Sequence, residues 1–189
     1  EDIALMASLP NMSVVAPADA HQTRELLPSI IEADSPVYLR LLFPKMTNIT
    51  ANSKTTYGKV QVIKEGSDLT IFSYGQTLHM CLDAANLLEK EGHSVGVINI
   101  HTLKPIDTEG VLEQLRVTGK GLVVEEHNMF GGLGSMIASI SSEFCPSKLK
   151  FINTNDKFGL TGLPEEILES FGFTVDNISN TAIALIEEK

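Results

Sequence analysis

From residue 59 onward, short apolar runs alternate with amphipathic stretches almost without interruption, and that alternation leaves few folds open to the chain. KVQVIK (59–64), DLTIFSY (68–74), SVGVINI (94–100), GLVVEEH (121–127) and KLKFINT (148–154) read as strands rich in β-branched residues. TLHMCLDAANLLEKEG (77–92), DTEGVLEQLRVTG (107–119) and GLGSMIASISSEF (132–144) carry apolar residues at helical spacing, and PEEILESFG (164–172) and NISNTAIALIEEK (177–189) close the chain as helices. Strands separated by helices need crossover connections, which produce a mostly parallel sheet with helices on both faces. The fold class is therefore α/β. In such sheets ligands settle at the carboxyl ends of the strands, where His101 and His127 both fall.

The first 57 residues follow a different plan. EDIALMASLP (1–10) shows helical spacing through Ile3, Ala4, Met6 and Ala7 until Pro10 stops it. SVVAP (13–17) reads as a buried strand, ADAHQTRELLPSIIEA (18–33) as a helix capped near Asp19, and PVYLRLLF (36–43) as a second apolar strand. Pro28 falls inside that helix, where it is expected to remove a hydrogen bond, kink the axis and restart the second half. One β-α-β unit is too small to make a sheet alone. The polar stretch after it lacks any apolar period, so we expect residues 1–44 to be the end of one domain, 45–57 a linker and 58–189 a second domain. Because the chain opens on Glu1 within a helical pattern, it is expected to start inside a longer structure.

Composition narrows the partners. The 189 residues are 43% apolar, enough for a core, and 14 basic against 24 acidic side chains give a net charge of −10. That charge repels phosphate backbones and anionic membranes, so neither nucleic acid nor membrane is an expected partner. No run approaches the roughly 20 apolar residues a membrane helix needs. Cys81 and Cys145 show neither CxxC spacing nor a second pair, so a disulfide framework and a metal site are not expected and a cytoplasmic setting is.

The densest chemistry lies in GLVVEEHNMFGGLGS (121–135), where a strand ends in two carboxylates and a histidine and then turns through glycines into a helix. Gly131, Gly132 and Gly134 permit close backbone approach, and the free N–H groups of the following helical turn favour an anion; helix–sheet packing would ask for the same glycines. His127 is a candidate general acid, hydroxyl ligand or anion contact, or else a hydrogen-bonding brace for the turn or a subunit interface. Glu125 and Glu126 are neighbours on a strand and point to opposite faces, so they do not converge on one atom; one is expected to be buried and one solvated. His101 precedes Thr102 and Lys104, which together would hold an anion or simply mark a strand exit before Asp107. His21, His79 and His93 have no partner spacing, and DKFGLTG (156–162) reads as a structural turn before a helix with Pro164 in its first turn.

Five blocks of this sequence resemble the transketolases and their thiamine diphosphate-dependent relatives, in the family's order and nearly end to end. EDIALMASLPNMSVVAPADA is similar to the late part of the family's pyrimidine-binding domain, and YGKVQVIKEGSDLTIFSYGQTLH to the entry of its C-terminal domain. HTLKPID, EEHNMFGGLGS and DKFGLTGLPEEILESFG complete the series. The resemblance implies a partial pyrimidine-binding domain followed by a transketolase-type C-terminal domain. It implies an intact enzyme that transfers a two-carbon ketol unit from a ketose to an aldose, using thiamine diphosphate and magnesium and working as a homodimer on sugars or sugar phosphates.

The same resemblance implies that this chain is inactive alone. The family's Gly-Asp-Gly segment for the cofactor diphosphate and its metal is absent here, and the activating glutamate and stacking aromatic lie upstream of the block matching Glu1. No cofactor is expected on these residues themselves. Phe43 stands where the family carries an arginine for the sugar phosphate, which leaves Arg40, at a second position often basic in the family, as the nearby guanidinium. A 1-deoxyxylulose 5-phosphate synthase, a 2-oxo acid dehydrogenase beta-type subunit and a non-catalytic regulatory or dimerisation module are the alternatives. The candidate substrate or anion contacts are thus His127, Arg40, His101, Gly131, Gly132 and Gly134.

Overall fold

The computed structural model describes residues 1–41 and 46–188. The strand–helix alternation becomes a five-stranded sheet: β3 (Gln61–Lys64), β4 (Leu69–Ser73), β5 (Val95–Asn99), β7 (Lys120–Val124) and β8 (Lys148–Ile152). Its order is β3-β5-β4-β7-β8; β4, β5, β7 and β8 run parallel, and β3 joins β5 antiparallel. Side chains alternate across it. Leu69, Ile71, Val95 and Val97 face one core with helices α3 (Thr77–Lys90) and α7 (Val175–Glu187), while Phe72, Tyr74, Ile98 and Ile100 face another with α4 (Thr108–Thr118) and α5 (Leu133–Phe144). A short α6 (Pro164–Ser170) precedes α7, whose cap is Thr174, its hydroxyl accepting from Asn177 N.

The N-terminal part supplies α1 (Asp2–Ala7), β1 (Ser13–Val15), α2 (Ala20–Ile31) and β2 (Val37–Leu39). Too small for a sheet alone, it completes one by borrowing β6 (Thr102–Lys104) from the second part: the order is β2-β1-β6, with β1–β2 parallel and β1–β6 antiparallel. HTLKPID therefore contains a strand that its sequence hides, because three residues give periodicity nothing to work with.

Two further expectations change. Pro28 does not divide its helix: α2 is continuous, and since Pro28 lies near the helix end, the lost N–H affects a single late bond while Pro28 O still accepts from Glu32 N. The second apolar strand stops at Leu39, so Arg40 follows it, although Arg40 N still donates to Val15 O at 2.8 Å. Phe43 lies outside the described residues.

A buried seam of amides joins the two parts. Gln22 on α2 donates from Nε2 to Gln61 Oε1 (2.7 Å), and Asn99 Nδ2 donates to both Gln22 Oε1 (3.0 Å) and Gln61 Oε1 (3.2 Å). Residues 46–57 are pinned beside it, with Thr50 N and Oγ1 donating to Asp19 at 2.9 Å each and Gln61 Nε2 reaching Ser53 Oγ at 2.8 Å. Among the described residues, no helix is long and apolar enough to cross a membrane.

Candidate functional site

The loop that follows β7 turns inward. Glu125, 1% exposed, directs its carboxylate at the first turn of α5: Leu133 N donates to Oε2 at 2.7 Å and Gly134 N to Oε1 at 2.8 Å, with the Tyr74 hydroxyl donating at 3.4 Å. The anion that the helix N-terminus favours is thus the chain's own side chain. Burial pushes the Glu125 carboxyl above its usual range, against the pull of those amide donors.

The glycines make room for it. A Cβ on Gly132 would run into Glu125 Oε2 and His127 Nδ1, and one on Gly134 would meet Phe151 at 2.9 Å and Glu125 Oε1 at 3.1 Å. Gly131 adopts φ 72°, and a Cβ there would approach that of Ala4 to 2.8 Å. In this structure the three glycines shape a packed turn, with Leu133 N and Gly134 N taken by Glu125 and Gly131 N by Ser135 Oγ at 3.0 Å.

His127 is 2% exposed and fully engaged. Its Nε2 accepts from Ala4 N on α1 at 3.2 Å, so the ring proton resides on Nδ1, which donates to Asn128 O at 2.8 Å. The histidine therefore clasps α1 to the second part of the chain. His101 is fully buried: Nδ1 pairs with Thr102 Oγ1 at 2.9 Å, Nε2 has no partner among the described residues, and burial lowers its pKa to about 4, leaving the ring neutral. Thr102 Oγ1 accepts from Gly58 N at 3.2 Å, and Lys104 Nζ donates to carbonyls at the C-terminal end of α1, Ala7 O (2.8 Å) and Leu9 O (2.6 Å). Among the described residues these groups are thus spent on contacts within the chain.

Arg40 sits where the carboxyl ends of β2, β4 and β7 meet. Its Nε donates to Asp2 Oδ2 (3.0 Å) and its Nη2 reaches Glu126 Oε2 (3.5 Å), which also accepts from Gln76 Nε2 at 2.7 Å. Burial disfavours the charge on Asp2, but the Tyr38 hydroxyl at 2.8 Å and the Arg40 guanidinium outweigh it and hold its carboxyl below the usual range. As expected for adjacent residues, Glu125 is buried and Glu126 half-exposed. A cleft of about 350 Å³ opens here, its lining including Arg40, Glu126, Lys157, Ile167, Leu168 and Phe171.

The structure brings His127, Arg40 and the three glycines into one neighbourhood around α1, and leaves His101 in the core beneath β6. Around α1 the side chains of His127, Arg40, Asp2 and Glu126 each have a partner in the chain, so the arrangement joins α1 and β2 to the carboxyl end of the larger sheet. The sequence hid the part Asp2, Tyr38 and Gln76 play; nothing in their spacing links residues 2, 38, 76 and 126. Among the described residues, no group of three or more His, Cys, Asp or Glu side chains is placed to hold a metal ion.

The model of the transketolase C-terminal domain family matches residues 58–178, and that of the transketolase pyrimidine-binding domain matches residues 1–46. A 6-deoxy-6-sulfo-D-fructose transketolase subunit from Clostridium sp. (strain MSTE9) is 37% identical over all of this chain and 59% of its own length. An apulose-4-phosphate transketolase subunit from Phocaeicola vulgatus is 31% identical over 99% of this chain and 60% of its own. Among solved structures, a split gene transketolase in the form of an inactive beta4 tetramer superposes with a TM-score of 0.93 at 38% identity, across 98% of this chain and 61% of that one. The chain spans about three fifths of the length of these relatives. On the matched family models and the shared fold, the chain belongs to the transketolase family.

Proposed function

We propose that the chain works as part of one subunit of a split transketolase, which with a cofactor-holding polypeptide moves a two-carbon ketol unit from a ketose to an aldose. Residues 1–44 would form the end of the pyrimidine-binding part, 45–57 the linker and 58–189 the C-terminal domain. The observation that carries this reading is the end-to-end likeness, at TM-score 0.93, to a split gene transketolase. The two relatives above are named for transketolases of a sulfonated and a phosphorylated sugar, which supports an anionic sugar as the substrate class. The beta4 tetramer of the solved relative supports self-association of this chain.

Two observations support a cofactor held mainly by the other polypeptide and not by these residues. The N-terminus of α5, which follows the glycine turn and would favour an anion, is filled by the Glu125 carboxylate, and among the described residues no acidic cluster is set for a divalent cation. When bound in the assembled enzyme, thiamine diphosphate would supply the carbanion chemistry. What this chain's residues do is hold geometry: His127 and Arg40 clamp α1 and β2 against the C-terminal domain.

The test is reconstitution. The chain alone, and the chain mixed with the cofactor-binding polypeptide of its own system, would be assayed for ketol transfer between a phosphorylated ketose and an aldose. Turnover in the mixture alone is expected; turnover by the chain alone contradicts the reading.

A further inference from the structure

His127 is held in one protonation state by partners that cannot exchange roles. A backbone N–H only donates and a carbonyl oxygen only accepts, so Ala4 N at 3.2 Å and Asn128 O at 2.8 Å together require a neutral ring protonated on Nδ1. An imidazolium carries a proton on both nitrogens, and its Nε2 has nothing left to accept with. A neutral imidazole is therefore a condition of the Ala4 contact.

That contact matters to α1 because of where it lies. Ala4 N belongs to the first turn, whose N–H groups have no acceptor inside the helix; the first internal bond runs from Leu5 N to Glu1 O at 3.0 Å. With six residues, α1 is far too short to persist without docking. Three sets of polar contacts pin it around the buried Ile3 side chain: Tyr38 and Arg40 at Asp2, His127 at Ala4, and Lys104 at the carbonyls of Ala7 and Leu9. Histidine is the side chain that ordinarily changes charge between pH 5 and 8, so the middle pin is the one a proton can draw.

The ring is within reach of solvent protons. Although 2% exposed, it lines the same cleft as Glu1, Asp2, Arg40, Glu126 and Lys157. The charged groups around it divide. Glu125, Glu126, Asp2 and the Glu1 carboxylate attract an imidazolium; Arg40, Lys157, the amino group of Glu1 and the positive end of α1 oppose it. Glu125 is an immediate neighbour, since a Cβ on Gly132 would meet both its carboxylate and His127 Nδ1, so a protonated ring is not an isolated buried charge. Tyr38 and Tyr74, which donate to Asp2 and Glu125, stay neutral in this range.

We infer that His127 makes the docking of α1 onto the C-terminal domain depend on pH: neutral, it holds the helix; protonated at Nε2, it releases Ala4 N while the contacts at either end remain. The first turn of α1 then loosens in acid without leaving the fold, because Ile3, Asp2 and Lys104 keep their places.

Amide hydrogen exchange followed by NMR on the 189-residue chain, from pH 8 to pH 5, reads the contact directly once each rate is divided by its intrinsic value. Ring nitrogen shifts follow the titration of His127 in the same samples. At pH 8 the ring is expected to be protonated on Nδ1 and bare on Nε2, and the protection factor of the Ala4 amide should fall roughly 10-fold as the ring charges. His127→Gln brings an amide oxygen near the place of Nε2 that accepts at every pH, so its Ala4 protection should be independent of pH. Glu125 still titrates in that variant, so a fall that survives the substitution belongs to Glu125 and overturns the switch. Wild type overturns it too, whether or not the variant folds, if Nε2 is already protonated at pH 8, if the ring stays neutral down to pH 5, or if Ala4 protection stays level while the ring titrates.

Discussion

Replacing Glu125 with alanine strips the acceptor from the Leu133 and Gly134 amides, both of which belong to buried residues. Each buried donor left unpaired costs about 1–3 kcal/mol. Losing a negative charge at the N-terminus of α5 adds about 0.3–2 kcal/mol. Against this, the variant no longer buries a carboxylate whose pKa burial already raises, which returns part of the loss. The net expectation is about 3 kcal/mol of destabilisation, or a fall of roughly 6–12 °C in Tm for a chain of this size. Urea unfolding reads it as a shift of the midpoint at constant slope. Glu126→Ala is the control. That side chain is 37% exposed and holds Gln76 and Arg40 near the surface, so its loss should cost under about 1 kcal/mol. Equal losses in the two variants, or less than about 1 kcal/mol for Glu125→Ala, would refute the view that the loop's anion is Glu125.

Gly132→Ala and Gly134→Ala should each destabilise by about 1–3 kcal/mol in the same assay, because the added methyl meets Glu125 and its neighbours; an unperturbed Gly132→Ala would return these glycines to ligand binding. His101 has a folded pKa lowered to about 4, so it stabilises the fold above the unfolded pKa of about 6.5 and loses that contribution as pH falls toward 4. The difference between wild type and His101→Gln should therefore change by about 3 kcal/mol across that window, while a flat difference contradicts a buried neutral ring. Arg40→Gln breaks the contact to Asp2 at 3.0 Å and the longer one to Glu126, and should cost about 1 kcal/mol with faster hydrogen exchange in α1; unchanged exchange there would separate Arg40 from the docking of that helix.

How far the fold was legible follows from element length. The strands at 69–73, 95–99 and 120–124 and the helices between them announce themselves because each runs through at least one full period of its pattern. β6 spans three residues and draws its stability from β1, more than 80 positions away, so local periodicity carries no trace of it. The glycine turn was visible as an anion-favouring element, and the acidic pair as one buried and one solvated. That the buried member is the anion, folded back onto Leu133 and Gly134, depends on the angle at which α5 leaves the sheet, which composition does not encode. Arg40 stood out through a family position; its partner Asp2 is 38 residues away and Glu126 is 86, and pairings at that range need the assembled fold. Gln22, Gln61 and Asn99 escaped notice for the same reason, each looking like an ordinary polar residue in an apolar run until the two parts meet.

Isothermal titration of thiamine diphosphate with magnesium into the folded chain, alone and then with the cofactor-binding polypeptide of its own system, shows which polypeptides hold the cofactor. No saturable heat is expected from the chain alone, and saturable binding once the two polypeptides are combined. Stoichiometric binding by the chain alone would contradict that expectation, since Glu125 would then not be the group that fills the N-terminus of α5.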